Sequence, residues 1–188
     1  MEWDDRQPLE RQAKLEQLLS RFDADFQTAG WVLEVGTGTG GLLPLLKKHY
    51  PKPGIIQIDF ANAMLVRAKK NHKGDQLVQA DVHELPFPDE KFSFVICHNS
   101  FPHFKEKVIA LREMRRVLQV GGTLLILHEL SREKVNDIHR HALAEEIHQD
   151  LLPTGDEMRM LLLQSGYNPI LIEDHPDHYV VTAHPSEA

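Results

Sequence analysis

The sequence predicts an α/β protein: a doubly wound, mostly parallel seven-stranded sheet with an antiparallel last strand and helices on both faces. Three observations lead there. Short apolar runs alternate with longer amphipathic segments along the 188 residues, the pattern in which crossover helices cover a parallel sheet. A glycine-rich turn, Gly36-Thr-Gly-Thr-Gly40, directly follows the first such run. The last two runs are separated by only a few residues, too few for a parallel crossover, so they should pair antiparallel.

The elements follow in order. Leu9, Leu15, Leu18, Leu19 and Phe22 recur at helical spacing, which predicts an amphipathic helix over 9–22. Residues 31–35 form a strand, and 42–50 a helix closed by Pro51 and Pro53. A second strand covers 55–58, followed by a helix over 61–71 that ends before Gly74. Strands are expected at 77–80 and, after the turn-rich Pro86-Phe-Pro-Asp89, at 92–97. A helix over 105–118 stops at Val120-Gly-Gly122, and the fifth strand is 123–127. After a polar stretch from 128 to 153, a helix over 156–165 ends at Gly166, and strands follow at 170–172 and 178–183. Leu111, Met114 and Leu118, like Met158, Leu161 and Leu162, read as core positions.

Composition narrows the function. Lys and Arg total 21 against 28 Asp and Glu, a net charge of −7 with no dense basic stripe, so no nucleic acid is expected as a partner. A single cysteine, Cys97, excludes an intramolecular disulfide. The start of the chain lacks a signal pattern and no apolar run approaches the ~20 residues of a membrane helix, so a cytoplasmic protein without a membrane partner is expected. Composition leaves the oligomeric state open.

Gly36, Gly38 and Gly40 alternate, so the backbone can turn sharply under a ligand, with the following helix N-terminus facing it. The spacing is not the Gly-x-Gly-x-x-Gly of dinucleotide folds, and no Gly-Lys-Ser/Thr is present for a triphosphate. Glu34 just ahead would repel a pyrophosphate but suits a ligand carrying an ammonium and a sulfonium, which favours S-adenosylmethionine over NAD. Asp59 ends the second strand, 19 residues beyond Gly40, where a carboxylate can accept ribose hydroxyls. Asp81 ends the third strand, where it could accept from an adenine amino group. Phe60 and Phe101 each follow a strand end and either floor a pocket or belong to the core.

These motifs resemble those of class I S-adenosylmethionine-dependent methyltransferases, Rossmann-like enzymes of the ubiquinone and menaquinone biosynthesis type. The resemblance rests on Leu33-Glu-Val-Gly-Thr-Gly-Thr-Gly40, Ile58-Asp-Phe-Ala-Asn-Ala-Met-Leu65, Gln79-Ala-Asp-Val-His-Glu-Leu-Pro-Phe87 and Arg112-Glu-Met-Arg-Arg-Val-Leu-Gln-Val-Gly-Gly122. It is dense over 30–127. It implies that Glu34, Gly36, Gly38 and Gly40 hold the methionine end, Asp59 the ribose, and Asp81 with the Val82 amide the adenine edge, with Met64 packed nearby. Ser93 and Val120 depart from the family pattern away from the cofactor motifs. His98-Asn-Ser-Phe-Pro-His103 lacks the Asn/Asp-Pro-Pro-Tyr/Phe of nucleic-acid amino methyltransferases. The chain then divides into an N-terminal helix (9–22), a cofactor-binding core (30–127), a substrate-covering insert (128–153) and a C-terminal helix and strand pair (154–188), all one domain.

His98, Asn99 and His103 follow the fourth strand, and His128 and Glu129 the fifth, so they should crowd one rim beside the transferred methyl group. His98 or His103 is a candidate general base, or else a rim residue shaping the pocket. The chain holds twelve histidines. His128, His139 and His148, with Asp150, are candidate ligands for a divalent metal, and the spacing of seven would put His141 and His148 on one helix face. The expected activity is methyl transfer to a small molecule. The alternatives are a non-catalytic adenosylmethionine-binding protein or a metal-dependent enzyme on the same scaffold; Glu34 and the glycine spacing disfavour an NAD-dependent oxidoreductase.

Overall fold

Every residue of β1 (Trp31–Val35) after the first is buried, as a strand covered by helices on both faces requires. This computed structural model describes residues 9–50, 52, 54–72 and 76–186. Residues 1–8, the side chain of Leu9, and the expected helix-closing residues Pro51, Pro53 and Gly74 lie outside the described residues. Before β1 come α1 (Leu9–Ser20) and α2 (Asp23–Thr28); after it come α3 (Leu43–His49), β2 (Ile55–Asp59), α4 (Asn62–Asn71), β3 (Gln76–Gln79) and β4 (Phe92–His98). Then follow α5 (Lys107–Val117), β5 (Leu118–His128), α6 (Arg132–Arg140), α7 (Gly155–Gln164), β6 (Tyr167–His175) and β7 (His178–Pro185). Among the described residues, no helix is long and apolar enough to cross a membrane.

The strands form one sheet in the order β3-β2-β1-β4-β5-β7-β6. Pairing is parallel from β3 through β5. β7 then runs antiparallel to both neighbours, as the short final connection dictates. The order reverses between β1 and β4, which opens a crevice at the carboxyl ends of these two strands. Alternate strand residues feed opposite layers. Leu33, Val35, Val95 and Cys97 meet Leu111 and Met114 of α5 and Met158 and Leu162 of α7. Val32, Phe94 and Ile96 meet Leu15, Leu19, Phe26 and Leu46 of the first three helices.

Several elements differ from expectation, among them β6, which runs from Tyr167 to His175 and not only over 170–172. The helix expected over 9–22 ends at Ser20, whose hydroxyl donates to the Gln17 carbonyl (2.8 Å), and the chain restarts as α2. Asp23 and Asp25 lie in that new first turn, where acidic side chains favour a helix start. β5 begins at Leu118, not at 123: Phe92 pairs with Leu118 and Phe94 with Thr123, so the intervening glycine pair is absorbed as a bulge with Gly121 at φ 74°. Within 128–153, α6 is capped by the Ser131 hydroxyl and ends at Arg140, so His141 and His148 do not share a helix face.

Phe94 sits between the rings of Phe22 (6.0 Å, edge-on) and Phe26 (4.8 Å). Phe94→Ala is expected to lower unfolding stability by about 3–5 kcal/mol, measured by denaturant titration.

Candidate active site

The turn after β1 is held from both sides. The Gly36 and Thr37 amides donate to the Ile58 carbonyl at 2.9 Å each, and the Ser100 hydroxyl donates to the Val35 carbonyl (2.8 Å). Gly36 has φ 73°, and any side chain there would collide with Ser100. Gly38 has φ 57°, and a Cβ built on it meets nothing within 4 Å. The first glycine permits close packing behind the turn; the second keeps the space in front of it clear.

Asp59 binds this turn to the end of β2. Its Oδ2 accepts from the Gly38 amide and its Oδ1 from the Ala61 amide, both at 2.8 Å. Glu34 lies beneath the turn, almost wholly buried, accepting from Gln57 Nε2 at 2.6 Å. Burial raises its carboxyl to about 7, against the opposing pull of the Gln57 hydrogen bond and the His98 charge. Gln57 Oε1 is buried without a partner among the described residues.

Two cavities open at the carboxyl edge of the sheet. Both are lined by Gly36, Gly38, Met64, Asn99 and His103. The wall of one, about 680 Å³, adds Asp59, Phe60, Asp81 and Val82. The other adds Arg11, His98, His128 and His139, with an apolar side of Leu130, Val135, Ile138 and Ile147. Phe60 is 74% exposed on the first wall, whereas Phe101 is fully buried in the core.

The rim between β4 and β5 is a buried polar cluster. Glu129 is fully buried and accepts from Arg11 of α1, from Asn99 Nδ2 (3.0 Å) and from His98 Nε2 (3.0 Å). Burial alone would raise its pKa; the His98 hydrogen bond and charge, with Arg11, hold it well below the usual carboxylate range. His128, also buried, is pushed down to about 3 by burial and by the His98 charge, and is therefore neutral at physiological pH. Asn99 has φ 52°, a conformation that Asn tolerates better than most residues. On the opposite lip, His103 Nδ1 lies 2.8 Å from Asp150 Oδ2.

The histidines expected as metal ligands are not gathered. Among the described residues, no group of three or more His, Cys, Asp or Glu side chains could hold a metal. His139 Nδ1 pairs with the Asp150 carbonyl, and His148 Nε2 with the Ala142 carbonyl at 2.8 Å. Sequence reasoning missed Arg11, which reaches Glu129 across 118 positions of chain, and Asp150 as partner of His103; no local pattern marks either pairing.

The raised Glu34 carboxyl sets a sign. Folding takes up a proton between the unfolded value near 4.5 and the folded value near 7, so this group costs stability as pH rises through that window. Glu34→Gln keeps an oxygen for Gln57 and removes the ionisation. Its unfolding free energy should therefore fall less than the wild type's from pH 5 to pH 8, by roughly 3 kcal/mol, read from denaturant titrations at both pH values.

Residues 33–126, half of the chain, match the family model described as "Methyltransferase domain". A demethylmenaquinone methyltransferase of Thermotoga maritima is 38% identical over 99 residues, 53% of this chain and 43% of that protein. A malonyl-[acyl-carrier protein] O-methyltransferase of Halorhodospira halophila is 31% identical over 139 residues, covering 66% and 47%. The chain spans about half the length of the curated relatives it matches. A crystal structure of a Pyrococcus horikoshii protein shares the fold with a TM-score of 0.76 at 20% identity, covering 97% of this chain and 93% of the other. With its switch-point turn, its acids at the ends of β2 and β3 and this match over the core, the chain belongs to the methyltransferase domain family, in the class I, S-adenosylmethionine-dependent group.

Proposed function

We propose that this protein transfers the methyl group of S-adenosylmethionine to a compact small-molecule acceptor. The observation that carries the reading is the pair of cavities that share the glycine turn, one walled by acids and the other by histidines and aliphatic side chains. The residues fit the cofactor. Gly38 leaves room above the turn, Asp59 and Asp81 are acceptors suited to ribose hydroxyls and an adenine amino group, and no basic residue in the turn calls for a phosphate. Phe60, Met64 and Val82 supply apolar surface for the base, and Asn99 stands where the two cavities meet. Gly36 and Gly40 shape the turn under the methionine end, and a cation above it would draw Glu34 toward its ionised form.

When bound, the cofactor supplies an electrophilic methyl group on sulfur. The protein's part is to hold the acceptor in line and to take up a proton where the acceptor has one to lose. His103 lies on the wall of both cavities. With Nδ1 directed at Asp150, its Nε2 is left to accept that proton. His98 suits the base role less well, because its Nε2 already faces Glu129; it serves as part of the rim. The segment 128–153 supplies Leu130, Val135, Ile138 and Ile147 as the acceptor's apolar cover. The relatives named as demethylmenaquinone and malonyl-[acyl-carrier protein] methyltransferases suggest a quinone-type or carboxyl acceptor.

Incubation with methyl-labelled adenosylmethionine and a panel of such acceptors tests the reading: label passes to an acceptor if the protein is a transferase and stays with the protein if it only binds. Asp59→Ala should weaken S-adenosylhomocysteine binding by about 1–3 kcal/mol in calorimetry. His103→Gln should lower turnover by about 10²-fold or more while leaving that affinity within a few-fold of wild type.

A further inference from the structure

We propose that His83 is a positioning residue for base recognition: it aims Asp81 at the purine edge and so sets a preference for a 6-amino over a 6-oxo base. The inference rests on the reading that the acid-walled cavity takes the nucleoside.

His83 lies on the wall of that cavity, two residues beyond Asp81. Asp81 Oδ1 accepts from the His83 backbone amide at 2.9 Å and faces His83 Nδ1 at 2.5 Å. At the far side of the ring, Nε2 accepts from the backbone amide of Glu106, the residue that opens α5, at 3.3 Å. A backbone amide can only donate. Nε2 is therefore the bare nitrogen, and the ring hydrogen sits on Nδ1, where it is donated to Asp81. The imidazole is thus a rigid spacer between the start of α5 and the carboxylate.

Both donors converge on Oδ1. Among the described residues, Asp81 Oδ2 accepts no hydrogen bond, so one carboxylate oxygen remains for a ligand. A carboxylate accepts and does not donate: it attracts a 6-amino group and repels a 6-oxo group. That discrimination holds only while Oδ2 points at the base. The Asp81 side chain is short and 48% exposed, and without the ring only the His83 backbone amide would restrain it. The exchange of the 6-amino donor for a 6-oxo acceptor, which also turns N1 from an acceptor into a donor, then costs less, because the carboxylate can turn away from O6 and accept from N1–H.

The test is calorimetric binding of S-adenosylhomocysteine and its 6-oxo counterpart, S-inosylhomocysteine, to the wild type, His83→Leu and His83→Asn. The wild type should prefer the adenine ligand by at least about tenfold. His83→Leu should narrow the preference to within about threefold. His83→Asn, whose amide nitrogen stands near the place of Nδ1, should restore most of it. Should His83→Leu fail to fold, His83→Gln serves in its place, since its amide reaches toward Glu106 and leaves the Nδ1 position empty. A preference unchanged in the Leu or Gln variant, whether or not both affinities fall together, overturns the positioning role and leaves His83 as packing. A wild type that binds neither ligand overturns the cofactor reading itself, a result distinguishable from the first because it appears before any substitution is made.

Discussion

Two backbone amides, those of Gly36 and Thr37, converge on one carbonyl, that of Ile58. Because that carbonyl belongs to β2, the turn that leaves β1 is laid across the neighbouring strand end and does not rise away from the sheet. Ser100 closes the opposite flank by donating to Val35. The turn is thus clamped between β2 and β4, the two neighbours of β1. Asp59 comes next to it as the last residue of β2, and Asn99 follows β4 at the other side. The two cavities divide at this clamp, and Gly36, Gly38 and Asn99 line both of them.

The histidine-lined cavity is governed by charge burial. A carboxylate as enclosed as Glu129 persists in ionised form only when its oxygens are filled by donors and a counter-charge. His98, Asn99 and Arg11 do this together. The result ties α1 to the sheet through a polar contact over the cavity, while Leu15, Leu18 and Leu19 tie it through the core. His128 next to it remains neutral because burial, and then the neighbouring His98, disfavour its charged form. The cavity therefore presents a fixed, internally compensated polar end opposite an aliphatic one.

Most of the fold was legible in the sequence because periodicity is a local property. The apolar run from Ile55 to Ile58 and the spacing of Leu111 and Met114 each report burial without knowledge of the partner. The antiparallel last pair was readable for the same reason, since a short connection admits one geometry. The start of β5 was not: Gly121 and Gly122 signal a break in a helix and a bulge in a strand alike, and only the Phe92–Leu118 pairing decides between them. In the site, the glycines and the acids at strand ends were visible because their positions follow from strand boundaries. Arg11, Asp150 and the tautomer of His83 were not, because each is specified by a partner far away in the chain. The expected metal set failed for a related reason. Proximity in sequence brought His139 and His148 to attention, but among the described residues the fold gathers no group of three or more ligating side chains.

β7 lies between β5 and β6, although it follows both in sequence. Among the described residues, its neighbour β6 pairs with no other strand. During synthesis, then, the outer edge of β5 stays open, and β6 has no place in the sheet, until residues 178–185 have emerged. Completion of this edge of the sheet therefore waits on the last of its strands to be made. Until then the nascent chain carries an unpaired strand beside a completed cofactor crevice.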